Sequence, residues 1–207
     1  MSVTRVKNNA FLILCTMFCF SGCGKSSLSS DEYIKYMESE RSGMRKEKNV
    51  EEIKIQVQYK TPEYIAVKEA GSAGTGSMKE RINKLKGMQY YTLRYTLNNS
   101  KADIMKYRLA SEADYYDRLN YMSFGMQNDI IIVQGNDTLP CVLFNHVRTY
   151  GLSPFADVVL GFEEKESKAE LENDKTLVVE EKAFGLGYLK FFFDKNDFND
   201  VPELKIN

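Results

Sequence analysis

The sequence predicts a mainly β protein: an antiparallel β-sandwich, immunoglobulin-like or similar, with two or three short helices. The clearest observation is the segment 53–59, where apolar and polar side chains alternate with a period of two, as in a strand with one buried face. Eight or nine short segments read as strands, with turns every 8–15 residues. Helical periodicity is confined to short stretches, so strands are expected to form most of the core.

Two helices have start signals of their own. Ser29 and Glu32 fit a capping box before a short helix over 31–40, which lies within a charge-rich segment. Ser111 fits the N-cap of a helix over 112–122, whose apolar side chains recur at helical spacing.

The other segments of the chain are predicted to be loops, one further short helix and strands. A glycine-rich flexible loop is expected at 70–77, followed by one or two helical turns over 78–87, and a loop and tail at 194–207. The segments 129–134 and 139–150 are expected to form a hairpin. Strands are predicted at 53–59, 63–68, 90–97, 104–110, 129–134, 139–150, 155–164, 176–182 and 186–193.

The first 23 residues have the pattern of an export signal. Arg5 and Lys7 form a positive region, and residues 10–20 form an apolar run that is too short to span a bilayer. The run ends in the sequence FSGC, which resembles the lipobox of bacterial lipoproteins, although phenylalanine replaces the usual aliphatic residue. Ordinary secretory cleavage nearby is the alternative.

The resemblance implies a lipid anchor. Residues 1–22 would be a signal peptide that is removed, and Cys23 would become the lipidated first residue of the mature protein. Two or more acyl chains hold a protein stably at a membrane. We expect a polar tether over 23–52 and a single β-sandwich domain over 53–207.

A nucleotide-binding loop is excluded for the same stretch. Gly24, Lys25 and Ser26 fit the end of a phosphate-binding loop, but Cys19 occupies the position of its first glycine. No strand is predicted before it. We therefore expect no nucleotide and no cofactor.

The resemblance also predicts a location. Gram-negative lipoproteins that carry aspartate after the lipidated cysteine are commonly retained in the inner membrane, and this chain has Gly24 there. The acidic pair nearest to Cys23 is Asp31-Glu32, eight residues on, which weakens the likeness to surface-export signals of Bacteroidota lipoproteins. An outer-membrane protein that faces the periplasm is expected, and the cell surface is less favoured.

Composition argues against nucleic acid as a partner. The chain has 28 basic and 29 acidic side chains; removal of Arg5 and Lys7 with the signal peptide leaves 26 basic ones and a net charge of −3. Nucleic-acid-binding surfaces need a basic excess.

Cysteine and histidine give no catalytic or zinc site. With Cys15 and Cys19 removed and Cys23 lipidated, Cys141 has no disulfide partner and is expected in the core. His146 is the single histidine, and five positions from Cys141 it should point to the opposite face of a strand.

Two weak site candidates remain. The acidic segment with Asp194, Asn196, Asp197 and Asp200 is a cation candidate, but it lacks the glycine and glutamate of an EF-hand, and a solvated turn is the alternative. Asp137-Thr138-Leu139 resembles the O-glycosylation acceptor of Bacteroidota, which makes Thr138 a candidate for modification.

These observations favour a membrane-anchored envelope lipoprotein that acts as a non-enzymatic binding or assembly module and docks a partner protein. Its plan is similar to that of outer-membrane lipoproteins of secretion systems. The alternatives are an enzyme that acts on glycans or peptides, because acidic residues are plentiful, and a carrier or inhibitor that binds a ligand or toxin.

Overall fold

The computed structural model describes residues 26–70, 77–164 and 173–206. They form a mainly β fold of two antiparallel sheets whose inner faces share one hydrophobic core, which confirms the predicted sandwich. The signal peptide, Cys23 and most of the predicted glycine-rich loop lie outside the described residues. The strands are β1 (Ser27–Leu28), β2 (Arg45–Val50), β3 (Ile53–Lys60), β4 (Met88–Leu97), β5 (Ile130–Gln134), β6 (Asp137–Pro140), β7 (Leu143–Val147), β8 (Phe155–Glu163), β9 (Lys175–Glu181), β10 (Gly187–Phe193) and β11 (Glu203–Leu204).

Short helices and turns connect the strands. The described residues contain five α-helices, more than the two or three predicted: α1 (Ser30–Glu38), α2 (Pro62–Ala70), α3 (Met78–Leu85), α4 (Glu112–Asn120) and α5 (Lys195–Asn199). The capping boxes of Ser29 and Ser111 are both formed. One sheet has the order β2-β3-β4-β8-β7 and the other has the order β10-β9-β5-β6, while β1 pairs in parallel with β11.

Aromatic side chains fill the space between the two sheets. Tyr91 of β4 makes edge-on contacts with Tyr59, Phe162 and Phe193, at centroid distances of 5.1, 5.8 and 5.6 Å. Such geometry favours aromatic pairs beyond the area that they bury. Because these side chains occupy the inner face, the alternate residues of β3 and β4 point outward and carry polar groups.

The packed domain begins well before residue 53, so the predicted tether is wrong over most of its length. Tyr33 and Met37 of α1 are fully buried in the core. The charged strand β2 pairs with β3 along its whole length. Its alternation escaped prediction because two of the three side chains on its inner face are lysines, Lys46 and Lys48, and only Val50 is aliphatic.

The segment predicted as a strand at 63–68 is helix α2. The hydroxyl oxygen of Thr61 accepts a hydrogen bond from the backbone N–H of Tyr64 at 3.1 Å, and Pro62 occupies the first helical position. A capping threonine followed by proline is a helix start signal. The start of the helix is therefore encoded locally by Thr61 and Pro62, but the short apolar run that follows them also fits a strand.

The predicted strand at 104–110 is also wrong, since the chain there makes a 3-10 turn, Ile104–Lys106. The Asp103 carboxylate accepts a hydrogen bond from the N–H of Met105 at 2.9 Å, which closes the turn. Ile104 and Met105 are nevertheless buried, so the apolar content of the segment serves the core without a strand.

The predicted hairpin forms, but its second strand divides in two. β6 pairs with β5 in the four-stranded sheet, whereas β7 pairs with β8 in the other sheet. Pro140 has no backbone N–H, so it cannot continue a ladder by donation, and Val142 donates its N–H to the carbonyl of Gly161 at 2.9 Å. The chain crosses between the sheets at these residues.

The predicted terminal loop contains helix α5 and strand β11. Pairing of β11 with β1 brings the beginning and the end of the described chain together, with Ser27 opposite Glu203. No described helix has the length and apolar character needed to cross a membrane.

Candidate functional site

A polar groove lies on the outer face of the five-stranded sheet. It has a volume of about 450 Å³, and α2 forms one of its walls. Sites of this size hold small ligands. The lining residues, which define the polar groove below, are Glu38, Arg45, Gln56, Gln58, Lys60, Tyr64, Lys68, Thr92, Arg94 and Asp157.

A bidentate ion pair fixes one side of the groove. Arg94 of β4 donates to both carboxylate oxygens of Asp157 on β8, at 2.7 and 2.6 Å, and its guanidinium lies 4.0 Å from the ring centroid of Phe155. The hydrogen bond to Asp157 raises the pKa of Arg94. Planar fork geometry of this kind makes the pair rigid.

A second pair fixes the opposite rim. Lys68 of α2 lies 2.8 Å from a carboxylate oxygen of Glu38, and the hydroxyl of Tyr64 donates to the same oxygen at 2.7 Å. The hydrogen bond from Lys68 is the largest influence that lowers the pKa of Glu38. Arg45, a lining residue, forms an ion pair at 2.9 Å with Glu47, which is not part of the lining.

Lys60 is the cation of the groove that takes part in none of these ion pairs. No ion pair or hydrogen bond holds its ammonium among the described residues, and burial lowers its pKa. The Thr92 hydroxyl is fully buried and has no hydrogen-bond partner in the described part of the chain. Unsatisfied groups of this kind cost free energy unless a ligand or water meets them.

The second surface is the apolar edge, which we define as β7 with its neighbours Val142, Phe124, Tyr150 and Leu152. β7 pairs on one side only, with β8, within the described residues. Tyr150 and Leu152, in the loop after β7, are 82% and 89% exposed. Phe124 is 70% exposed and lies beside β7. Exposed apolar side chains along a strand edge and at both of its ends make that edge a candidate interaction surface.

The structure does not bring Cys141 and His146 into one catalytic site. Cys141 lies in the core, as predicted, and burial raises the pKa of its thiol to about 11. His146 belongs to β7, where its Nδ1 lies 3.4 Å from the hydroxyl of Ser123. Burial, and then the charge of Arg148, lower the pKa of His146, which favours its neutral form.

The four cation candidates lie in and around α5. Asp194 caps the helix by accepting from the N–H of Asn196 at 2.8 Å, and Asp197 pairs with Lys46 at 3.0 Å. Asp200 ends the helix. Over the described ranges, no group of three or more His, Cys, Asp or Glu side chains could hold a metal ion.

The structure describes only one of the two candidates for modification, Thr138. Thr138 is exposed on β6, beside the hairpin turn rather than within it. Its glycosylation stays a prediction. Cys23 lies outside the described residues, three positions before the first of them.

Sequence reasoning missed the polar groove. The signal that could have found it is the run of polar side chains on the outer face of β3, namely Lys54, Gln56, Gln58 and Lys60. Only the register with β4, which places Gln58 opposite Thr92, shows that these polar groups converge.

Comparisons with known proteins give no function. No protein-family model and no curated protein matches the chain. A protein of unknown function from Burkholderia pseudomallei is similar at a TM-score of 0.39 and 10% identity, over 84% of this chain and 92% of that chain. A DUF4426 family protein from Pseudomonas aeruginosa is similar at a TM-score of 0.39 and 8% identity, over 72% and 91%.

Proposed function

We propose that the protein is a lipid-anchored envelope protein whose domain is a non-enzymatic binding module, and that it docks a partner protein at the apolar edge. The observation that carries the proposal is the edge strand β7, which pairs only with β8 among the described residues and has exposed apolar side chains around it. The occupant is an extended segment of the partner with alternating apolar side chains, which adds to β7 as a further strand.

The chemistry of β7 supports such an occupant. Its outward side chains Leu143 and Val147 are exposed, and no side chain of the strand is acidic or a lysine or arginine. An edge strand without charges offers free backbone groups to another chain and nothing that repels it. The exposed Tyr150 supplies the kind of aromatic contact that carries much of the affinity of protein interfaces.

A lipid on Cys23 would lie close to the described domain. Only three residue steps separate Cys23 from Ser26, so at most about 11 Å of chain joins them. Pairing of β1 with β11 ties the next residues to the domain. A lipid on Cys23 would therefore hold the domain close to the membrane surface, where the partner would be met. By the same resemblance, Gly24 favours the outer membrane, and the eight-residue distance between Cys23 and the acidic pair Asp31-Glu32 favours its periplasmic face.

The electrostatics of the carboxyl groups support a binding role rather than catalysis. A general acid needs a raised pKa and access to a substrate. The Glu38 carboxyl in the groove has a lowered pKa, because Lys68 holds it in its ionised form. Burial raises the pKa of Glu164 and Glu181, but these two lie near opposite ends of β9.

Site-specific photo-crosslinking in cells tests the docking surface. A photoreactive residue at position 143 should give one discrete adduct, and one at position 47 on the opposite sheet edge should give none. The crosslinked peptide of the adduct should be an extended apolar segment, and Val147→Glu should reduce its yield at least tenfold. Equal yields at both positions, or an adduct with a second copy of this chain, would contradict the proposal.

The anchor is tested separately by mass spectrometry of the membrane-extracted protein. We expect an N-terminal peptide that begins at acylated Cys23, and Cys23→Ser should release the protein from the membrane fraction. An unacylated N-terminus in the wild-type protein would overturn the anchor without affecting the docking surface.

A further inference from the structure

The polar groove is a binding site in its own right, and we infer that it binds a sugar acid: a small hydroxyl-rich ligand that carries one carboxylate, free or at the end of a glycan. The inference goes beyond partner docking and does not depend on the lipid anchor. It begins from the balance of charges in the groove. Within the described part of the chain, each cation of its lining has an anionic partner except Lys60.

The three paired cations cannot easily serve a ligand. The guanidinium of Arg94 donates both hydrogen bonds of one planar edge to Asp157, and the ammonium of Lys68 is paired with Glu38. Arg45 is held by Glu47 and also lies 3.5 Å from the carbonyl of Glu38. These pairs keep the walls fixed and neutralise the two acids of the lining, so that neither acid repels an anion as an isolated charge would.

Lys60 is placed to meet the carboxylate. Lys60 is half-buried and lines the groove together with Asp157, Arg94, Lys68 and Glu38. A desolvated ammonium without a partner is compensated by an anion, and a single lysine offers a point charge that suits one carboxylate.

The neighbouring polar groups fit hydroxyls. Thr92 lies diagonally across from Lys60 in the β3–β4 register, and its buried hydroxyl has no hydrogen-bond partner in the described ranges. The side-chain amide of Gln56 has no hydrogen-bond partner among the described residues, and it lies on the same outer face. A hydroxyl and an amide each donate and accept, which matches sugar hydroxyls that do the same.

Other ligand classes fit less well. An apolar ligand would leave the Lys60 and Thr92 groups desolvated and unpaired, at a cost that removes affinity. A divalent cation would meet four cationic side chains and only two carboxylates, both already paired. The volume of about 450 Å³ matches a sugar rather than a long chain.

Titration calorimetry with the full-length protein tests the inference, with glucuronate, galacturonate, glucose and glucose 6-phosphate as probes. We expect saturable binding of the two uronates and none of glucose. Lys60→Met should weaken uronate binding at least tenfold, whereas Lys54→Met, on the same face of β3 but outside the groove, should change it less than twofold.

Three further measurements keep the test decisive if Lys60→Met fails to fold. Thr92→Val should weaken binding about fivefold, and Lys60→Arg should retain most of it. Uronate should shift the side-chain amide resonances of Gln56 in the wild-type protein. Equal affinity for glucose, tighter binding of glucose 6-phosphate than of either uronate, or unchanged affinity in both Lys60→Met and Thr92→Val would overturn the inference.

Discussion

The two edges of the five-stranded sheet differ in how well they are protected against pairing with another chain. β2 carries Arg45, Lys46, Glu47 and Lys48 in succession, whereas β7 has no lysine, arginine or acidic side chain. Lys46 and Lys48 lie over the rings of Phe193 and Phe191, so charged side chains stand at the inner side of this edge. Inward-pointing charges on an edge strand oppose pairing with another chain. β7 has no such barrier.

The cross-strand register makes the comparison direct. Glu47 of β2 and Val147 of β7 end the same row of outward side chains, which passes through Gln56, Arg94 and Asp157. Glu47 binds Arg45 and Lys54, whereas Val147 is exposed. At one end of the row, the charge of Glu47 is paired within the chain. At the other end, Val147 exposes apolar surface that a partner could bury.

Disruption of the β2 edge should have the largest effect on stability. Gly43, just before β2, has a φ of +66°, and an added Cβ would overlap the carboxylate of Asp197. We expect Gly43→Ala to lower the free energy of unfolding by about 2.5 kcal/mol, from backbone strain and from loss of the ion pair between Asp197 and Lys46 when the carboxylate is displaced. Urea denaturation measures the change.

Gly87→Ala is the matched control for that change. Gly87 also has a positive φ, +86°, but no atom lies within 4 Å of the position of an added Cβ. It should cost about 1 kcal/mol from backbone strain alone. Equal costs at the two glycines would show that the contact with Asp197 does not matter.

The β7 edge should be loosened by a smaller change. Gly161 of β8 allows close approach of β7, since an added Cβ would lie 2.9 Å from the Cβ of Leu143. Gly161→Ala should cost about 2 kcal/mol. Hydrogen exchange should become faster for the β7 amides and stay unchanged for those of β2. Slower exchange in β7 would contradict this view of the edge.

Exchange of the two end residues should reverse the contrast between the edges. Glu47→Val should increase self-association in sedimentation velocity, whereas Val147→Glu should leave the protein monomeric and remove the crosslinked adduct. Each should change the free energy of unfolding by about 0.5 kcal/mol or less, because both sites are at the surface. Adduct formation that survives Val147→Glu would count against β7 as the docking strand.

The pH dependence of His146 should have the smallest effect. Because its folded-state pKa is lowered, the unfolded state binds more protons below the ordinary histidine pKa of about 6.5. Stability from this group is therefore complete above that pH and is lost as the pH falls through it. The difference in unfolding free energy between wild type and His146→Gln should move slightly in the variant's favour as the pH falls from 7.5 to 5.5. A difference that moves in the wild type's favour on acidification would contradict the sign.

Much of the fold could be predicted because its signals are local. Period-two alternation was sufficient for β3 and β4, and serine caps marked the starts of α1 and α4. α2 was misassigned although Thr61 and Pro62 announce a helix, since a short apolar run fits either structure. The candidate site was not predicted, because its residues come from four strands and two helices and converge only through register.

The sequence by itself determined the strand-rich core, the helix caps and the buried place of Cys141, because periodicity and capping act over a few residues. The tertiary structure decided that the charged segment Arg45–Val50 is an edge strand and that β7 lies in a different sheet from β6. It also decided that Lys60 is the one cation of the groove without an ion pair among the described residues. These features depend on which strands become neighbours and in which register, and hydrogen bonds between distant segments set both.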